Sequence, residues 1–446
     1  MKNSAKLSLR RLSAWVGAFL GLLVLAVIVF GGTILNSYGK KMAERAFARA
    51  HPGSVLRIGK LDYSLGANCL IAQSVTLSAG DTTLKIGRLS LAGVRWNRSL
   101  WGAPSLADLL AKASLDATNL EVDLPQARYA IRCARLRASA PGSDLIAEGT
   151  ELRTLAGDQD FFAAHDYRTT RFHLLLPECR VSGLAYAALL EGKSYFASSV
   201  RFSRPTFEAL VNCDKPVKPF VKPPLMLHEV LASIRQPLHI ENLTLTNGCL
   251  SFAEQFAAGA DPGVLTVSDL SLLAQGIANR GDASAAILLR AQGSLMDAAI
   301  GRLVMSIPIT PPDFSLHYSG SLSAMDLTRL NPFLDLDQHT RIKSGRAQEA
   351  TFEVDVIAGQ ARGYVRAIYT NLEIALLDKQ TGAEKGINNR VASFLANVLK
   401  IRGSNVPDAS GSIKQGAVNY ARKPDDEFQQ FAWFALRSGV LDIITR

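Results

Sequence analysis

The sequence predicts a mainly β protein: a long, curved, groove-like antiparallel sheet with a few short helices, preceded by one N-terminal transmembrane helix. Three observations carry this. Residues 14–35 hold no charge, the chain beyond Ser54 alternates apolar and polar residues almost to its end, and a six-residue pattern recurs that breaks the alternation by one position.

The first thirteen residues form a basic tail, with Lys2, Lys6, Arg10, Arg11 and no acidic residue. The run 14–35 is then a membrane anchor. At about 1.5 Å per residue it spans a ~30 Å hydrocarbon core, whereas the apolar part of a cleaved signal is only ~7–15 residues long. The flanking cations hold the tail in the cytoplasm, although Lys40, Lys41 and Arg45 reduce the asymmetry. In a bacterium this is a single-pass inner-membrane protein with about 410 residues in the periplasm. The net charge of +10 falls once the four tail cations are set aside, leaving 45 basic residues against 39 acidic ones. That surplus is dispersed, with no Lys/Arg block interleaved with aromatics, so no nucleic-acid partner is expected.

A stalk (36–53), helical from Lys40 to Ala50, ends at Pro52-Gly53. Period-two strands follow. Phe314, Leu316, Tyr318, Gly320 and Leu322 share one face against Ser315, His317, Ser319 and Ser321; Leu303, Met305, Ile307 and Ile309 behave alike, as do Phe352, Val354 and Val356. One greasy and one wet face belong to antiparallel sheets. The recurring pattern places an apolar or small residue at position 1 and apolar residues at positions 4 and 6. It occurs at Ile58-Leu61-Tyr63, Ala72-Val75-Leu77, Ile86-Leu89-Leu91, Ile240-Leu243-Leu245 and Val267-Leu270-Leu272. A step of three inside a period of two is what a bulge produces, and repeated bulges curve a sheet. Asn247-Gly248 reads as a two-residue hairpin turn. At ~15–20 residues per strand and turn, the chain holds some 20–27 strands, reaching at most ~100–130 Å at ~4.8 Å spacing.

Helices are few. Ser105-Leu-Ala-Asp108 is a capping box for a helix of about two to three turns. A second starts near Ala324, a third covers Ile387–Ile401, and the last runs from about Pro424 to Ile444, with Phe428, Phe431, Trp433 and Phe434 on more than one face. That spread suits a plug in a groove, a segment at a membrane interface or a helix docked on a core. Four prolines in 215–224 exclude a sheet interior and mark a Pro/Lys linker between a β region at 54–214 and another at 225–446.

Five cysteines (Cys69, Cys133, Cys179, Cys213, Cys249) show no CxxC and no His at ligand spacing, so no metal site is read. Cys179 with Cys213, or Cys213 with Cys249, are the shortest disulfide candidates; small apolar roles in a sheet are the alternative. No GxSxG, GxxxxGK[ST], GxGxxG or HExxH motif occurs, and the close His–acid pair His165-Asp166 lacks a nucleophile signature beside it. No catalytic residue and no cofactor are expected.

The layout of anchor, bent strands and C-terminal block resembles AsmA-like proteins, bacterial envelope members of the repeating-β-groove, bridge-like lipid-transfer superfamily. The resemblance rests on Ile240-Glu-Asn-Leu-Thr-Leu-Thr-Asn-Gly-Cys-Leu-Ser-Phe252, Asp326–Phe333, Gly363–Ile374, Asn388–Asn405 and Phe428–Ile444, and is strongest over 235–446. It implies an apolar groove that shields or transfers phospholipid-like envelope lipid and supports outer-membrane homeostasis, with membrane lipid as partner and no catalytic residues. The expected lining is Leu303, Met305, Ile307, Phe314, Leu316, Tyr318, Phe352 and Val354. The alternative is a closed, non-enzymatic β scaffold that assists assembly of an envelope protein.

Overall fold

The computed structural model describes residues 40–445 except 52, 65, 96–104, 218, 220–222, 258, 283–284, 310–312, 338–339 and 377–400. The expected anchor (14–35) and nearly all of the expected helix at 387–401 lie outside the described residues. Strand accounts for 57% of the chain, which makes it mainly β, with one long sheet of 18 strands and few helices.

The stalk helix α1 (Lys40–Ala50) leads into β1 (Ser54–Ser64), β2 (Cys69–Ala79) and β3 (Thr82–Ala92). After α2 (Leu106–Leu110) come β4 (Ser114–Leu124), β5 (Tyr129–Ser139) and β6 (Asp144–Thr154), then α3 (Asp158–Ala163), β7 (Thr170–Ser182), α4 (Tyr186–Leu190) and β8 (Tyr195–Ser203). The chain continues through β9 (Thr206–Asn212), α5 (Leu227–Ala232), β10 (Leu238–Gln255), β11 (Gly263–Ala278), β12 (Ala286–Leu295), β13 (Ala299–Pro308) and β14 (Leu316–Leu322). It ends with β15 (Met325–Asp326), a 3-10 turn (Leu327–Leu330), α6 (Asn331–Asp337), β16 (Thr340–Ile357), β17 (Gln360–Leu376), β18 (Gln415–Ala421) and α7 (Phe428–Ile444). The sheet is mixed where an antiparallel one was expected, because Thr206–Asn212 of β9 runs parallel to Cys249–Gln255 of β10. Among the described residues there are eighteen strands against the expected 20–27, and β10 and β16 each reach 18 residues.

Two compact units divide the chain: 1–161 with 173–205 and 236–241, and 162–172 with 206–235 and 242–446. The Pro/Lys stretch therefore lies within the second unit.

In the first unit the 1-4-6 pattern becomes a crease. Strands β1 to β6 are each 11 residues long, and the sixth residue of each falls on one line: Gly59, Ser74, Gly87, Asn119, Ala134, Gly149. The ladder skips these residues yet keeps one register on both sides, as where Ile58 faces Val75 and Lys60 faces Gln73. No residue is inserted, so the expected bulge is a crease instead. Its residues alternate between strands. Ser74, Asn119 and Gly149, in β2, β4 and β6, are left-handed (φ +52°, +54° and +59°), while β1, β3 and β5 supply Gly59, Gly87 and Ala134. The small residues are needed for space, because a Cβ on Gly59 would lie 2.8 Å from Ser74 Cβ. Each strand has one residue that the ladder skips at the crease, which shifts side-chain parity by one and converts alternation into the 1-4-6 spacing. In the second unit a true bulge occurs between Ser268 and Ser271, with Asp269 at φ +48°.

Asn247-Gly248 is not a hairpin: it sits inside β10. Asn247 is left-handed (φ +52°), as the Asn-Gly signal implies, but within a strand instead of at a turn. The two-residue turn from β16 to β17 is Ala358-Gly359, both at positive φ as a type I′ turn requires. Ser105 does cap α2, accepting the Asp108 N–H at 3.1 Å, but the helix has five residues, not two to three turns, because β4 begins at Ser114. Near Ala324, where a helix was expected, β15 and the 3-10 turn come first, and α6 starts at Asn331.

Helical side chains occupy strand backbone groups in both units. In the first, Ile58 N–H donates to the Glu44 carboxylate (2.8 Å) and Lys40 Nζ to Gly59 C=O (3.2 Å), while Ala43 and Phe47 of α1 are buried. In the second, Ala417 N–H donates to Asp442 (2.8 Å) and Asn419 N–H to Ser438 Oγ (3.2 Å) of α7. There Gly416 and Gly439 let helix and strand touch: a Cβ on Gly416 would lie 1.8 Å from the Gly439 oxygen.

Candidate functional site

Cross-strand registers assemble the first unit's apolar residues into four rows that run across its strands. Two flank the crease: Ile58–Val75–Ile86–Leu120–Cys133–Thr150–Leu176 and Leu61–Ala72–Leu89–Ala117–Leu136–Ala147–Cys179–Phe202. The outer two pass through Leu84, Val122, Ile131, Leu152 and Leu174, and through Leu91, Leu115, Ala138, Leu145, Val181 and Val200.

The rows change character along their length. Over β1–β4 they form a core cluster with Ala43 and Phe47 of α1 and with Leu109, Leu110 and Ala113 in and after α2. From β5 to β8, Ile131, Leu136, Leu145, Leu152, Leu174, Leu176, Val181 and Phe202 are only half-buried. Three strand intervals at ~4.8 Å make this stretch about 14 Å long. This stretch is a partly exposed apolar face continuous with the core cluster, against which Ile131 and Leu136 pack.

The opposite face is charged. Arg132 pairs with Glu121 (3.0 Å), Arg135 with Asp116 (2.6 Å), Arg137 with Glu148 (2.5 Å) and Lys85 with Asp123 (3.0 Å). The hydrogen bond from Arg135 holds the Asp116 carboxyl below the usual carboxylate range, and that to Asp123 raises Lys85. Each such exposed pair contributes only ~0.2–1 kcal/mol; together they keep this face wet.

Cys133 and Cys179 sit on this apolar face. Burial, then the neighbouring Cys133, pushes the Cys179 thiol up, so it is a weak nucleophile at neutral pH. All five cysteines are free, so neither candidate disulfide forms. Tyr186 of α4 donates to Asp144 C=O at the start of β6, and burial raises its phenol to about 12.

The eight residues expected to line a groove are gathered on one face of the second unit. Met305 faces Tyr318 and Tyr318 faces Val354; Leu303 faces Gly320, which faces Phe352. That face is roofed by α7. Phe431, Ala435, Gly439 and Ile443 form a stripe with a four-residue repeat, buried on the sheet. Phe431 stacks edge-on against Phe314 (5.1 Å), and Tyr318 Oη donates to Ala432 C=O (3.4 Å). Met305, Ile307, Phe314, Leu316, Tyr318 and Val354 are buried there, and Leu303 and Phe352 partly so. Of the other aromatics of α7, Phe428 meets Phe314 (6.4 Å), Phe434 meets Tyr420 (5.8 Å), and Trp433 is half exposed. The helix acts here as a docked roof.

His165 and Asp166 lie in the loop after α3, where the His165 carbonyl accepts from Lys215 Nζ (2.5 Å). His173 and His317 lie on polar faces beside Glu151 (3.1 Å) and Asp355 (2.8 Å). Among the described residues no group of three His, Cys, Asp or Glu is placed to hold a metal. The apolar face of β5–β8 was not singled out from the sequence, because Cys133, Thr150 and Cys179 interrupt the apolar 1-4-6 spacing there. Searches of protein-family models and of curated proteins find no match to this chain.

Proposed function

We propose that this chain is an AsmA-like protein of the bacterial envelope, anchored in the inner membrane by residues 14–35, which shields the acyl part of a phospholipid-like cargo in its periplasmic β trough and so supports outer-membrane homeostasis. The observation that carries the reading is the half-buried apolar face of β5–β8 set against a charged reverse face. Burying a methylene from water yields roughly 0.8 kcal/mol, and a bilayer supplies the same. A trough of this kind matches the membrane without outcompeting it, which keeps the cargo exchangeable. Its role is shielding and handover, with no bond made or broken.

Photo-crosslinking tests this on the full-length chain in cell membranes, with benzoylphenylalanine replacing Leu152 on the trough face or its neighbour Glu151 on the charged face. Lipid adducts from position 152 and none from 151 are expected. Protein adducts from 152 in place of lipid would replace this reading with the scaffold that assists assembly of an envelope protein.

A further inference from the structure

A cleft of about 320 Å³ opens in the second unit where the Ala358-Gly359 turn meets the residues before β14 and after β18; Asp313, Phe314, Gln360 and Arg422 line it. That volume is at the lower end of the range for small-molecule sites. Arg422 is its one cation and Asp313 its one anion, yet neither forms an ion pair among the described residues. Both are held by the strand ends. Ser315 Oγ donates to Asp313 Oδ1 (2.6 Å) and accepts from Ala358 N–H (3.3 Å), which leaves Asp313 Oδ2 without a partner. Arg422 is fixed by its backbone N–H to Gly359 C=O (2.9 Å) and by Nη2 to Pro224 C=O (2.7 Å), with its guanidinium 5.7 Å over the Phe314 ring. The Nε of Arg422 is enclosed, but Nη1 is open and makes no hydrogen bond. Burial, with Arg422 as a smaller cause, holds His228 below its ordinary value where it stacks on Phe314 (6.0 Å), so this imidazole adds no charge at neutral pH. Two fixed opposite charges that share a cleft and stay apart suit a ligand carrying both complementary charges, since each end then gains a charge-assisted hydrogen bond. A purely anionic ligand would face Asp313, and a purely cationic one Arg422.

We propose that this cleft binds an aminoalkyl phosphate, free or as the head group of a lipid, with Arg422 Nη1 donating to the phosphate and Asp313 Oδ2 accepting from the ammonium. A guanidinium is the side-chain cation best matched to phosphate, and the cleft has room for the two charged groups and a short linker. The assignment concerns a polar site in the second unit and does not depend on the acyl-shielding reading.

Titration calorimetry on the purified full chain in amphipol tests this with probes that carry no acyl chain: phosphoethanolamine, glycerophosphoethanolamine, ethyl phosphate and β-alanine. The wild type is expected to bind the better of the two ethanolamine probes about tenfold more tightly than ethyl phosphate, the worth of one charge-assisted hydrogen bond. A preference for the glycerol diester marks a lipid head group as the source, and a preference for the monoester marks a free solute. Asp313→Asn should bring that probe to the level of ethyl phosphate; asparagine keeps an oxygen to accept from Ser315, so the thermal midpoint should not fall. Arg422→Gln should weaken all three phosphate probes by tenfold or more. An ammonium preference that survives in Asp313→Asn, equal binding of ethyl phosphate and the ethanolamine probes by the wild type, tighter binding of β-alanine, or binding of no probe overturns the inference. None of these results bears on the acyl-shielding reading, which stands or falls on the adducts from position 152.

Discussion

Gly416→Ala should lift helix α7 from the sheet. The new Cβ would sit 1.8 Å from the Gly439 oxygen and 2.8 Å from Ile443 Cγ1. Carbon and carbonyl oxygen pack at about 3.3–3.6 Å, so the helix must retreat by roughly 1.5 Å. That stretches Ala417 N–H to Asp442 (2.8 Å) and Asn419 N–H to Ser438 (3.2 Å) past the length of a hydrogen bond. One bond to a charged and one to a neutral acceptor contribute about 2–4 kcal/mol together. Local opening should therefore become easier by that amount, and hydrogen exchange at Ala417 and Asn419 faster by about 30- to 1,000-fold. Ser438→Ala is the control, loosening Asn419 alone by about fivefold for ~1 kcal/mol. Exchange at both amides within threefold of wild type in Gly416→Ala would refute the claim that the Gly416–Gly439 contact seats the helix.

Two further perturbations address the first unit. Gly87→Val places a Cβ 3.0 Å from Asn119 Cβ and 3.3 Å from Thr118 O, and should lower unfolding stability by about 1–3 kcal/mol, while Ser74→Gly, at a left-handed position, should stay within about 0.5 kcal/mol of wild type and Ser74→Val should cost about 1–2. Urea midpoints decide this, and equal costs for the two Ser74 variants would discard the crease geometry. Tyr186 has its phenol raised from 10.0 to about 12, so the fold favours the neutral form; its contribution is complete below pH 10 and is lost as pH climbs from 10 towards 12. Thermal midpoints of Tyr186→Phe should fall less steeply than wild type over that window, with Tyr369 and Tyr420, also raised to about 12, retaining part of the slope. Parallel slopes would contradict the assignment.

Periodicity carried the strand content and face assignments. The Ile58, Val75 and Ile86 rows follow from spacing alone, because antiparallel neighbours in one register put equal parity on one face. The crease was legible as a 1-4-6 step, but a residue skipped by the ladder on both strands and a residue inserted in one shift parity equally, so bulge and crease look the same in sequence. Asn247 shows the same ambiguity, since a left-handed asparagine serves a turn or a crease alike. Helices of five or six residues, such as α3 and α4, are too short to show a period. The site was harder still. Spacing shows that Met305, Tyr318 and Val354 share a face, but not that a helix 114 residues beyond Tyr318 covers it. In β5–β7, Cys133, Thr150 and Cys179 dilute the apolar pattern.

The alternation of the crease, left-handed residue in one strand and small residue in the next, also restricts how such a chain lengthens through gene duplication. Copying a single strand would set two left-handed residues, or two small ones, side by side and would reverse the direction of everything downstream. Copying an adjacent strand pair such as β3–β4 restores both the chain direction and the Gly87–Asn119 kind of pairing at each new junction. Each duplication of that sort adds two strand spacings, about 9.6 Å. The quantum of growth for this architecture is the strand pair, and length variants that arose this way should differ by even numbers of strands.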